Sequence, residues 1–323
     1  MREITPRLRL GRPNLDEFAD TLLELAQQDR DLLVLTSDSR GSGRLVPFSQ
    51  ALPRQIVEVG IAEQNLVGIA AGLAAAGKKA FVVSPACFLT ARALEQIKND
   101  VAYSDRPVKL VGISAGVSYG ALGSTHHSLH DFAALRAINN IDIVAPADNF
   151  ETRAAVRAAA AHPRPIYLRF GKKPMYDLHL PGTEFEIGRA IILKEGTDVT
   201  LVATGEPVHE AYAAACLLEQ EGISCRVMSM HTVKPLDRDA LLTAARASRA
   251  MIVVEEHSVH GGLGEACAAV LLQSGRALPY KIVGIPDEYT VTGSQSEIFQ
   301  HYGISAAGLV ETARQLLEVE TIS

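Results

Sequence analysis

Residues 56–77 read IVEVGIAEQNLVGIAAGLAAAG. The stretch opens as a β-branched strand edge, turns through a glycine, and continues as Ala, Gly, Leu, Ile and Val at helical length. A strand that runs straight into an apolar helix is half of a βαβ unit, because parallel strands need a long crossover between them. KAFVVS at 79–84 supplies the next strand. Upstream, DLLVLT at 31–36 is a short continuous apolar run, which suits a parallel strand buried on both faces. Before it, Leu15, Phe18, Ala19, Leu22 and Leu25 recur every three or four residues and predict an amphipathic helix over 15–28.

The alternation continues outward. ARALEQIKNDVAYS (91–104) reads as a helix, VKLVGIS (108–114) as a strand, IDIVAPA (141–147) as a strand, 149–161 as a helix and PIYLRF (165–170) as a strand. Over 172–188 the pattern lapses in KKPMYDLHLPGTEFEIG, with two prolines and two glycines. It resumes with GTDVTLVATG, a helix at 207–221, SCRVMSM, a helix at 237–246, RAMIVVEEH, a Gly-rich turn, a helix at 264–274 and YKIVGI. The expectation is an α/β protein of two domains with mostly parallel sheets. The first domain covers 1–175, a linker 176–190 and the second domain 191–323. A chain of 323 residues is right for two domains at about 150 residues each.

Composition narrows the function classes. Apolar residues make up 47% and charged residues 21%, enough for a sizeable core on a soluble chain. Lys+Arg 31 against Asp+Glu 37 gives −6 with no basic run, which disfavours nucleic-acid binding. The apolar runs are broken well short of the ~20 residues that a membrane span needs. The opening MREITPRLRLGRPNLDEF has no apolar signal core, so a cytoplasmic protein is expected. Cys87, Cys216, Cys225 and Cys267 form no CxxC pair, which disfavours a disulfide framework, a structural zinc and an iron–sulfur cluster.

Four features bear on chemistry. HGGLGEACAAV (260–270) and GSGR (41–44) are glycine-rich, but neither has GxGxxG spacing and no GxxxxGK[ST] occurs. The chain therefore shows no diphosphate or Mg²⁺ site of its own. His126, His127 and His130 have spacings seen in metal sites, yet the GALGST run before them reads as a loop. Metal ligands, capping histidines and histidines of a polar substrate site all stand as readings, and imidazole suits proton transfer near neutral pH. Glu58 lies in a β-like run and is readable as pointing from a sheet edge. Glu63 enters a small-residue helix, either as an exposed N-terminal acid favoured by the helix dipole or as a desolvated functional acid.

VGIAEQNLVGIAAGLAAAG closely resembles the thiamine-diphosphate motif of transketolases and 1-deoxyxylulose-5-phosphate synthases. FLTARALEQIKNDVAYSDRPVKLV, GSTHHSLHDFAALRAINNIDIVAPAD, EGTDVTLVATG, VKPLD, VVEEHSVHGGLGEA and YGISAAGLVE resemble later segments of that family, in order. The chain resembles the C-terminal subunit of a split transketolase: a pyrimidine-binding domain followed by the transketolase C-terminal domain. The resemblance implies thiamine diphosphate and Mg²⁺ as cofactors, largely held by an N-terminal partner subunit, and an α2β2 assembly with the cofactor between subunits.

Residue by residue, the resemblance puts the cofactor-activating glutamate on Glu63, where a carboxyl group bonded to the aminopyrimidine ring promotes its reactive tautomer. It puts the aromatic ring that stacks on the pyrimidine on Phe88. Arg92, four residues on, either faces the pocket or lies on a helix surface. His126 matches a histidine that contacts sugar hydroxyls and shuttles protons, and His127 stands beside it where the family usually has Gln. Arg169 matches an arginine that binds the acceptor's phosphate, against the alternative of an edge-strand Arg paired with an acid. Asp38, in LTSDSRGS, is a weaker substrate candidate. No metal ligand falls on this chain.

The chain departs from the sugar-binding pattern at Ser114, Ala121 and Leu122, where the family has a histidine and two acids. Hydroxyls left unpaired there cost about 1–3 kcal/mol each, which favours a smaller or less polar donor such as a 2-oxo acid. The expected activity is transfer of a two-carbon ketol or acyl unit. The alternatives are the β subunit of a 2-oxo acid dehydrogenase complex and a non-catalytic scaffold or regulatory paralogue.

Overall fold

The computed structural model describes residues 8–320. The outer domain limits expected at residues 1 and 323 lie outside the described residues. Two sheets organise the chain. The first has seven strands in the spatial order Thr232–Lys234, Asp142–Val144, Ile166–Arg169, Lys109–Ile113, Lys79–Pro85, Leu32–Thr36 and Ile56–Glu58. All pairings are parallel except that of the edge strand Thr232–Lys234. The second has five strands, Tyr280–Ile285, Ala250–Ser258, Val199–Ala203, Cys225–Ser229 and Ile191–Lys194, with the last antiparallel.

The strands are apolar on both faces because helices cover both faces. Successive residues of one strand enter different apolar layers. Leu35, Val82 and Leu110 join the layer with Leu66, Val67 and Ala70 of the helix Glu63–Ala75. Val34, Phe81 and Val111 join the layer with Leu15, Phe18 and Leu22 of the helix Asn14–Gln28. The second sheet repeats the pattern, with Leu201 and Ile252 on one side and Val202 and Val253 on the other. The expected architecture of two domains with mostly parallel sheets is the observed one.

The structure differs from the sequence reading in several places. The 91–104 helix is broken into Ala86–Arg92, Leu94–Gln96 and a π-helical turn Ile97–Tyr103, with Ala93 leaving helical geometry at ψ 18°. The stretch read as patternless holds a strand, Pro174–Tyr176, paired antiparallel with Leu10–Pro13. Thr232–Lys234, from the second half of the sequence, completes the edge of the first sheet. The helices Val46–Ala51, Gln295–His301 and Ala306–Glu320 were not anticipated. Among the described residues no helix is long and apolar enough to cross a membrane.

Candidate active site

Open α/β sheets bind ligands outside the carboxyl ends of their parallel strands. In the first sheet, Asp38, Glu63, Phe88 and Ser114 all follow such strand ends. Glu63 is the first residue of its helix and is 3% exposed. It borders an open cavity of about 610 Å³ lined by Ile61, Ala62, Glu63, Gln64, Asn65 and Arg92. A carboxylate at a helix start is favoured by the dipole, which helps explain why the chain tolerates a charge buried there. One Arg92 nitrogen lies 3.1 Å from each of its two oxygens. The Arg92 side chain is itself half exposed, and its guanidinium stands 4.3 Å over the Phe88 ring.

His126 joins this group from the far side. Its ring meets Phe88 edge-on at 5.4 Å and Tyr119 at 5.5 Å. The Thr125 hydroxyl lies 2.9 Å from Nδ1. The loop that brings it there contains the 3₁₀ turn Gly120–Thr125, in which Gly120 and Gly123 take positive φ. Glu63, Arg92, Phe88 and His126 therefore form one continuous chain of contacts. The neighbouring cation Lys172 lies 4.6 Å over the Tyr119 ring; nothing in the sequence pattern singled it out.

The other candidates are placed differently. Asp38 is exposed, in a left-handed conformation with φ 54°, and its amide donates to Glu58 Oε1 at 2.7 Å. Glu58 does not point out of the sheet edge; it also accepts from the Thr36 hydroxyl and the Gly60 amide. Burial pushes its carboxyl up, but these donors and Arg40 outweigh burial and hold it below its ordinary value. It ties two strand-end loops together.

His127 and Arg169, expected to contact substrate, are held by the protein's own groups. His127 is 4% exposed, with Nδ1 at 2.7 Å from Thr290 Oγ1 and Nε2 at 3.0 Å from the Gly120 carbonyl. Burial lowers its pKa, against the Gly120 carbonyl, which favours the charged form. Arg169 is 5% exposed. It donates to Asp131 Oδ2 at 2.8 Å and to the carbonyls of Ser128 and Glu256, and stands 3.7 Å from the Glu256 carboxylate. It lies within the sheet, between parallel neighbours on both sides, so it is paired with an acid but is not the edge-strand Arg of the alternative reading. His126, His127 and His130 also diverge, the last lying 3.2 Å from Thr90 Oγ1.

The seam between the two sheets carries buried charge that the sequence did not reveal. The Gln295 amide bridges Glu206 and Glu256. Glu206 is pushed up to about 8 by burial and then by Glu256. Burial also raises Glu255, to about 7, against the Gly264 and Leu263 amides that it accepts at 2.8 and 2.7 Å. A Cβ on Gly171 would fall 1.6 Å from Glu206 Oε1, and one on Gly262 would fall 2.0 Å from Glu255 Oε2. Gly262 of HGGLGEA thus makes room for an acid that caps a helix from below.

Comparison with known proteins fits this geometry. Residues 15–176 match the transketolase pyrimidine-binding domain and residues 188–309 the transketolase C-terminal domain. The chain is 48% identical to a subunit of the apulose-4-phosphate transketolase of Phocaeicola vulgatus, over 93% of this chain and 96% of that one. It is 37% identical to the 6-deoxy-6-sulfo-D-fructose transketolase subunit SqwH of Clostridium sp. strain MSTE9, over 94% of each. Among solved structures it resembles one described as a split gene transketolase, inactive beta4 tetramer, with TM-score 0.85, 37% identity, and coverage of 95% of this chain and 99% of that one. The buried acid at the helix start, its strand-end setting and these full-length likenesses place the chain in the transketolase family, as a protein of the split, C-terminal subunit type.

Proposed function

We propose that this chain is one half of a two-subunit transketolase-like enzyme that transfers a two-carbon ketol or acyl unit to an aldehyde or related acceptor. The observation that carries the reading is Glu63: a carboxylate 3% exposed, bordering an open cavity, with a half-exposed arginine as its partner. Such a partner can move aside, so the carboxylate is available to a ligand.

The residues fit thiamine diphosphate on its pyrimidine side. Glu63 would hold the ring edge and Phe88 its face, with Arg92 shifting from both. Bound thiamine diphosphate supplies a nucleophilic carbon that accepts the two-carbon unit from a ketone or 2-oxo acid. This chain's part is to hold a proton at the Glu63 carboxyl and to exchange one at His126. Since Thr125 engages Nδ1, we assign the exchange to Nε2. Among the described residues no group of three or more His, Cys, Asp or Glu side chains is placed to hold a metal ion. We assign the diphosphate and Mg²⁺ to an N-terminal partner subunit, in an α2β2 assembly. The subunit names of the relatives, and the description of the β-only tetramer as inactive, support that division.

Both relatives are named for sugars bearing an anionic group, a phosphate or a sulfo group. With Arg169 enclosed, we assign such a group to Lys172. Leu122 is 54% exposed on the His126 turn and offers a donor apolar surface rather than hydroxyl partners.

Calorimetric titration of thiamine diphosphate with Mg²⁺, with and without the N-terminal partner, tests the reading. Tight binding that needs the partner is expected, with Glu63→Gln retaining binding and losing turnover. Absence of binding even in the complex would overturn the thiamine reading and leave a scaffold role.

A further inference from the structure

The second domain contributes none of the residues lining the Glu63 cavity. It nonetheless grips the loop that carries His126. At one end Glu256 Oε1 accepts the Val117 amide at 2.9 Å, and at the other the Ser258 amide donates to the Leu129 carbonyl at 3.1 Å. The fit is close. A Cβ on Gly116 would lie 2.1 Å from the Glu256 carboxyl carbon, and one on Gly120 would lie 2.4 Å from the Gly293 carbonyl oxygen. Both glycines have positive φ.

The middle of the loop is held through one residue, Thr290. The Gly120 carbonyl can only accept, so His127 Nε2, 3.0 Å away, carries the ring proton. In the neutral ring Nδ1 is then an acceptor, and the Thr290 hydroxyl 2.7 Å away donates to it. That fixes the remaining bonds. Ser124 Oγ donates to Thr290 Oγ1 at 3.0 Å and accepts the Thr290 amide at 3.2 Å. Ser124 and His127 flank Thr125 and His126, so the two residues between are clamped on either side by Thr290.

We propose that Thr290 is a positioning residue for His126, holding its turn through Ser124 and His127, and that the second domain acts on the cleft by this route. The inference rests on His126 being the substrate histidine, as proposed above. A structural filler would contribute packing alone; Thr290 contributes a donor that selects one tautomer of His127 and one register of the turn.

The test uses ring ¹⁵N spectra of the full chain labelled at histidine, with His126 and His127 assigned by their loss in His126→Ala and His127→Gln. Neutral His127 is expected in its Nε2–H form. Thr290→Val, which keeps the shape and removes the donor, shifts both ring signals and leaves those of His179 and His231 in place. Thr290→Ser restores them. An unmoved His126 signal in Thr290→Val overturns the proposal. In the complex with the N-terminal partner, with hydroxypyruvate as donor, Thr290→Val lowers kcat about tenfold to a hundredfold and leaves thiamine-diphosphate affinity within about twofold. In a His126→Ala background Thr290→Val adds no further loss; an equal loss in both backgrounds also overturns it. A His126→Ala enzyme with normal kcat would instead sink the substrate-histidine reading, which the ring spectra do not depend on.

Discussion

Glu63 and Asp131 are both buried carboxylates paired with arginine, and they do opposite things. Glu63 is 3% exposed and its arginine is half exposed, beside an open cavity. Asp131 is fully buried, its Arg169 is 5% exposed, and Tyr167 adds a second donor at 2.8 Å. Burial raises the Asp131 carboxyl, but Arg169, His257 and Tyr167 outweigh it and hold it below its ordinary value. Burial of an acid therefore does not mark a site. What separates the two is whether the partner is replaceable: a side chain with solvent access can yield to a ligand, while one locked in the interior cannot.

The contrast is sharpest in stability. Asp131→Ala leaves Arg169 short of its main partner inside the protein and is expected to cost about 3–5 kcal/mol, read as the shift of a urea unfolding curve. A loss under about 1 kcal/mol would mean that the pair is not locked. Gly116→Ala comes next: at φ 60° and with Glu256 in the way, it should cost about 1–3 kcal/mol by the same measurement.

A pH-dependent effect is expected from the acid pair at the seam. An unperturbed glutamate titrates near 4.5, and Glu206 near 8 in the folded chain, for the reasons given above. Between those values the folded chain keeps a proton that the unfolded chain has lost. Stability from this group therefore falls as pH rises through about 4.5 to 8, and levels above it. The surroundings, Glu256, Gln295, Arg169 and Lys173, are the same at each pH unless they titrate themselves. Glu206→Gln should flatten that fall in urea midpoints taken from pH 5 to 8.5; an unchanged slope would show that Glu206 is ionised throughout.

The least stability change belongs to Glu63→Gln. Arg92 can return to water, so unfolding should shift by no more than about 1 kcal/mol while turnover is lost. A loss comparable to that of Asp131→Ala would erase the distinction between the two acids.

Glu63 stood out in the sequence because its setting is local, while its functional reading came from the resemblance. A lone acid entering an apolar small-residue helix stands out, and the helix start that buries it lies in the same stretch. Phe88 and His126 were read from resemblance, and the structure sets Phe88 between Arg92 and His126. The protein partners of His127 and Arg169 were not legible, because they are far away in the chain. His127 bonds to Thr290, 163 residues on, and Arg169 to the Glu256 carbonyl, 87 residues on. The same separation hid Thr232–Lys234 as an edge of the first sheet.

The sequence by itself determined the alternation of strand and helix, the two parallel sheets and the acid at the start of the small-residue helix. Those rest on periodicity and on contacts within one βαβ unit, which neighbouring residues encode. Only the tertiary structure decided which charges face the cavity and which are sealed at the seam. A side chain's availability is set by partners brought together from both domains, and the reach of a hydrogen bond, about 3 Å, has no counterpart in sequence spacing.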